Sequence, residues 1–150
     1  GGLSIQEKQF LDRVSSFEKG AWMLGVGRRE APGIDAVDLT NAVGVSLKTA
    51  ASVNALGRNV EEGLEQVSDA GYYNVQIYVN ASTISARAAS GLTKVQRVLG
   101  SRITKVVVFA RDGIVTYSPT PEQTRRAESE RREAELRRAG HCSAEQSRCE

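Results

Sequence analysis

The chain has 150 residues, 40% of them hydrophobic and 25% charged, with 20 basic and 18 acidic side chains for a formal net charge of +2. That length suits one globular domain and excludes a disordered, collagen-like or strongly acidic chain at this composition. No apolar run approaches the roughly 20 residues of a membrane span, and with Cys142 and Cys149 both near the end no disulfide framework holds the body.

In chain order, Ser4 followed three residues later by Glu7 is a capping box. The apolar spacing of Phe10, Val14, Phe17, Ala21 and Leu24 predicts an amphipathic helix ending near Gly25. Residues 33–39 and 44–50 read as two strands of a hairpin. Asn59 with Glu62 is expected to cap a second helix carrying Val60, Leu64 and Val67 and stopped by Gly71. Tyr73–Val79 alternates as a strand. Ser90 opens a third helix over Leu92, Val95, Val98 and Leu99. The nearly continuous apolar run Lys105–Ala110 predicts a strand buried on both faces, and Asp112-Gly113 turns it into a last strand, Ile114–Tyr117. The expected fold class is α/β, with a mixed central sheet of about five strands flanked by helices.

Residues 1–120 form the expected domain and 121–150 a charged tail, with seven basic and seven acidic side chains and Leu136 as its one large aliphatic residue. A solvated helix over about Pro121–Ala139 that buries almost nothing is predicted there, its arginines cancelled by their acidic neighbours. The single His141, near Cys142 and Cys149, makes a weak zinc set and rules out histidine-based catalysis in the body. The sole Met23 and the Gly1-Gly2 start read as a piece of something longer.

The first hairpin carries the chemistry. A two-residue Asn41-Ala42 turn puts Asp35 opposite Lys48 and Val37 opposite Ser46, so that Asp35, Ser46 and Lys48 share a face. A three-residue loop would bring Asp38 there instead. Glu18, on the border of the first helix's stripe, is expected to point toward the sheet. A carboxylate can hold a divalent ion that activates water, and a lysine can neutralise charge on phosphorus oxygens. The chemistry these groups suit is phosphodiester hydrolysis.

Glu18, Gly33-Ile34-Asp35 and Ser46-Leu47-Lys48 together resemble the PD-(D/E)XK, or restriction-endonuclease-like, nucleases over roughly residues 5–80. Ser46 departs from the usual acid of that pattern, and one of Glu61, Glu62 and Glu65 is a candidate replacement. Serine at this position, eleven residues after the Asp, is similar to some C-terminal nuclease toxins of contact-dependent growth-inhibition proteins. The resemblance implies catalytic roles for Glu18, Asp35, Ser46 and Lys48, with Asp35 and Glu18 as ligands of Mg²⁺, Mn²⁺ or Zn²⁺. It also implies DNA as substrate in preference to tRNA and a cognate immunity protein. Such a domain is secreted as the end of a larger protein and acts in the cytoplasm of a target bacterium. The alternatives are a tRNA-cleaving toxin of the same fold and a noncatalytic domain whose Asp112-Gly113 hairpin pairs with a partner sheet.

Overall fold

The computed structural model describes residues 2–27 and 31–144, except for the side chains of 141–144. His141, Cys142 and Cys149, as candidate zinc ligands, therefore lie outside what is described. The elements are α1 (Ile5–Phe17), β1 (Met23–Gly25), β2 (Ala36–Asp38), β3 (Val43–Thr49), α2 (Val53–Ala70), β4 (Val75–Ala81), α3 (Ala86–Ala89), α4 (Thr93–Arg97), β5 (Ile103–Ala110), β6 (Ile114–Tyr117) and α5 (Pro121–Ala144). The described strands form one six-stranded mixed sheet in the order β1 to β6. Pairs β3–β4 and β4–β5 are parallel and the other three antiparallel. Each parallel pair needs a crossover, supplied by α2 and by α3 with α4.

Two cores sandwich the sheet. On one face Phe10, Leu11 and Val14 of α1 pack on Ala36, Val45, Tyr78, Val107 and Phe109. On the other, Leu56, Val60 and Val67 of α2 and Val95 of α4 pack on Ile77, Val79, Val106 and Val108. The central strands β4 and β5 are covered on both sides, which is why their sequences read as apolar runs.

Several expectations are corrected. Helix α1 has the predicted capping box but ends at Phe17, because Lys19 and Gly20 adopt positive φ of 59° and 76°. The chain turns back, and Leu24 lies in an unforeseen edge strand, 55% exposed. Helix α2 starts at Val53 under a Ser52 cap, not at Asn59. Asn59 instead donates from Nδ2 to the Thr49 carbonyl at 2.8 Å. The third helix is two short pieces. The tail helix does dock: Ala127 is buried, the Gln123 side chain accepts from Gln96 Nε2 and donates to the Gln96 carbonyl, and Ser101 donates to Glu130 at 2.9 Å. Among the described residues no helix is long and apolar enough to cross a membrane.

Candidate functional site

The β2–β3 ladder pairs Ala36 with Val45, Val37 with Gly44 and Asp38 with Val43. The connection is thus a four-residue loop, Leu39–Ala42. Asp38 closes it, accepting from the Asn41 main-chain N–H at 2.9 Å and from Asn41 Nδ2 at 2.8 Å. Compared with a two-residue turn the register moves by two, which brings Asp35 level with Ser46 instead of Lys48. Asp38 is 1% exposed and committed to the turn, so it does not belong beside Ser46.

Asp35 stands just before β2, where the chain bends. Its N–H donates to Val45 O at 2.9 Å, while its carbonyl accepts from Val26 N–H at 3.0 Å. Its Oδ2 accepts from Leu47 N–H at 2.8 Å, in the place where a longer β2 would have offered a carbonyl. The carboxylate therefore rests on the main chain of the residue between Ser46 and Lys48. Gly33, at φ +84°, makes this approach: a Cβ there would lie 3.1 Å from Gln66 Cβ and 3.4 Å from the Gln66 main chain. Only glycine takes that backbone conformation without strain.

Ser46 and Lys48 pair with Ile77 and Val79 of β4 and so face α2. Ser46 is fully buried, and its hydroxyl has no hydrogen-bond partner among the described residues, a costly state for a polar group. The Lys48 stem crosses Gly63 of α2, where a Cβ would meet Lys48 Cε at 3.4 Å and Ile77 Cδ1 at 3.0 Å. Lys48 Nζ then donates to Gln66 Oε1 at 3.0 Å. Gly33, Gly63 and Gln66 thus close α2 over Asp35, Ser46 and Lys48. The sequence reading missed Gln66. The available signal was its place one turn after Gly63 on a helix packed over β3.

Glu18 does not join them. Its Oε1 accepts from Lys105 Nζ at 2.6 Å and from the Tyr78 hydroxyl at 2.7 Å, with the Gln76 side-chain amide 2.8 Å from the same hydroxyl. Tyr78 belongs to the α1-side core, so Glu18 lies across the sheet from Lys48. It points inward as expected, but over β4 and β5, and β5 is three strands or about 14 Å from β2. Burial and the Glu18 carboxylate together push the Tyr78 phenol well above its ordinary range. The start of α1, by contrast, lies near Asp35: Leu3 packs on Gly25, which pairs with Ala36. Glu7, partly buried in that first turn, is on the same face of the sheet as Glu18, opposite Ser46 and Lys48. It sits eleven residues, or about 16 Å of helix, before Glu18.

The three glutamates of α2 separate by flank. Glu61 is 4.0 Å from Lys94 of α4, and Glu65 is one turn further along that line. Glu62 lies between Asn59 and Gln66, both bonded to β3. Among the described residues no three His, Cys, Asp or Glu side chains converge. The nearby donors are carboxylate and hydroxyl oxygens, one of them the orphaned Ser46 Oγ. They suit a hard ion held by one or two carboxylates and completed by waters and a substrate phosphate, as Mg²⁺ is. Comparison with protein-family models, curated proteins and solved structures gave no match to the chain.

Proposed function

We propose that the domain is a metal-dependent nuclease whose centre is Asp35, Ser46 and Lys48, with Gln66 as a positioning residue. The observation that carries this reading is the Asp35 carboxylate seated on the main chain between Ser46 and Lys48, while Lys48 Nζ is held by Gln66. Asp35 would hold Mg²⁺ or Mn²⁺, with Glu62 supplying the acid that Ser46 lacks. When bound, the ion lowers the pKa of its water and offsets phosphate charge. Lys48 has three donors; Gln66 takes one, and the others would meet the charge that develops on the phosphorus oxygens. The Ser46 hydroxyl orients a water or the lysine. Zinc suits this oxygen set less well.

DNA is the preferred substrate and tRNA the alternative. A nuclease of the kind the resemblance implies is delivered as the end of a larger secreted protein and is silenced in its maker by a tightly bound immunity protein. The test is nicking of supercoiled plasmid with Mg²⁺ or Mn²⁺, with and without chelator, beside a tRNA gel. The expected result is chelator-sensitive nicking that falls ~10²–10³-fold in Lys48→Ala and is lost with metal affinity in Asp35→Asn. Near-normal nicking by folded Lys48→Ala removes the reading. Cleavage of tRNA alone selects the alternative.

A further inference from the structure

Helix α5 outruns the body. Its first part is docked through Gln123, Ala127 and Glu130, and the same face continues past the end of the sheet. Beneath it lies a groove of about 510 Å³ between Arg131, Ala134, Arg137 and Arg138 on the helix and Tyr73 on the body. A second cleft, lined by Arg97, Arg102 and Arg126, joins it at Glu130.

The helix composition hides what the fold sorts. Of the described α5 acids, Glu122, Glu128 and Glu133 line neither cleft, although Glu122 Oε1 lies 3.4 Å from Arg126 Nη2; only Glu130 and Glu135 do, and Glu130 is engaged by Ser101. The six arginines named above line one or the other cleft, a cationic channel on a chain whose net charge is only +2. At its centre Tyr73 is 52% exposed. The Arg102 guanidinium lies 4.1 Å from the ring centroid, donating to Tyr73 Oη at 3.1 Å and to the Tyr72 carbonyl at 3.0 Å. The ring is therefore fixed in place before any ligand arrives.

We infer that this groove binds a nucleic acid strand, its arginines tracking phosphates and Tyr73 stacking on a base. Arginine forks match phosphate, and cationic grooves with aromatic platforms are how single strands are held without sequence preference. The groove lies at the N-terminal end of β4, while Lys48 is near the C-terminal end of β3, about 20 Å away along the strands. It is a holding site apart from the chemistry. The inference extends the nuclease reading but is measured without catalysis.

The test is fluorescence anisotropy with labelled single-stranded 20-mers, DNA and RNA, in chelator across a salt series. Arg131→Gln with Arg138→Gln should weaken binding at least tenfold. It should also flatten the slope of log affinity against log salt by about 1.4, about 0.7 per lost phosphate contact. Arg125→Gln with Arg132→Gln, the same charge change outside the groove, should change affinity less than twofold. Tyr73→Ala should cost about tenfold with the salt slope kept. Circular dichroism and melting establish that each variant is folded. No binding by the wild type, equal losses in the two arginine pairs, or no loss in either overturns the groove. Groove-dependent binding by a protein that cleaves nothing with any metal leaves the groove standing and removes the nuclease reading. Cleavage with no groove dependence does the reverse.

Discussion

At the scale of single residues, the acids Glu7 and Glu18 of the first helix both lie across the sheet from Lys48, and substitution tests that placement. Glu18 is bound to Lys105 and Tyr78 with its side chain 16% exposed. Glu18→Gln should therefore cost stability, on the order of 1.5–3 kcal/mol for a charged hydrogen bond, and leave plasmid nicking intact in the folded protein. Glu7→Gln keeps an oxygen for the Ser4 N–H that Glu7 Oε1 now accepts. It should melt within a few degrees of wild type and also leave nicking intact. Urea melts and nicking rates on both variants decide it, and slower cutting by either folded variant would place that acid in the site. Gly63 tests the lysine's path. In a helix, Gly to Ala gains up to about 1 kcal/mol of propensity, which offsets the crowding of a Cβ 3.0 Å from Ile77 Cδ1. Gly63→Ala should thus change stability by less than about 1 kcal/mol. The same Cβ presses on the Lys48 stem, so the nicking rate should fall at least about tenfold, a displacement of the kind that costs far more in rate than in folding.

At the scale of elements, the tail divides where its contacts stop. Ending the chain after Thr120 removes Ala127 from its buried seat and strips Gln96 and Ser101 of their α5 partners. That should lower stability by about 2–3 kcal/mol at roughly 1 kcal/mol per hydrogen bond. Ending it after Arg132 keeps those contacts and should leave the melting temperature unchanged. Equal melting temperatures for the two truncations would mean that α5 does not dock. How far the elements were legible follows from where their information resides. The strands β4 and β5 announce themselves because both faces are apolar, and the capping box marks the start of α1 residue by residue. The strand β1 is three residues long with Leu24 turned outward, so it has no pattern of its own. The first two turns of α2 carry Val53 and Leu56 in line with Val60 and Val67, but Asn59 with Glu62 looks like a cap and hides them. The pair Ser46 and Lys48 was readable because a strand puts residues two apart on one face, and a register error of two preserved that face. Glu18 was misplaced because the path of α1 over the sheet is a tertiary fact that helical spacing does not encode. Gln66 was invisible because its partner Lys48 lies 18 residues away on another element.

At the scale of the whole molecule, the buried phenols set an alkaline limit. Tyr78 and Tyr117 are both raised above the ordinary 10.0, chiefly by burial. An unfolded chain loses these protons above that pH while the folded one keeps them, so the unfolded state is favoured as pH rises. Each phenol should remove up to about 1.4 kcal/mol of stability per pH unit beyond that point. Denaturant melts between pH 9 and 11.5 should show this fall, and Tyr78→Phe should make it shallower; an unchanged slope would mean that Tyr78 titrates alike in both states. The strand order has a consequence of another kind. Because the six strands lie side by side in the order in which the chain supplies them, each arriving strand joins an open margin and none has to be inserted between two already in place. Assembly can run vectorially from the N-terminus. By the end of β4 the growing chain already contains Asp35, Ser46, Lys48 and Gln66 with the strands and helix that gather them, so the catalytic centre proposed here can be complete while the second half of the polypeptide is still on its way.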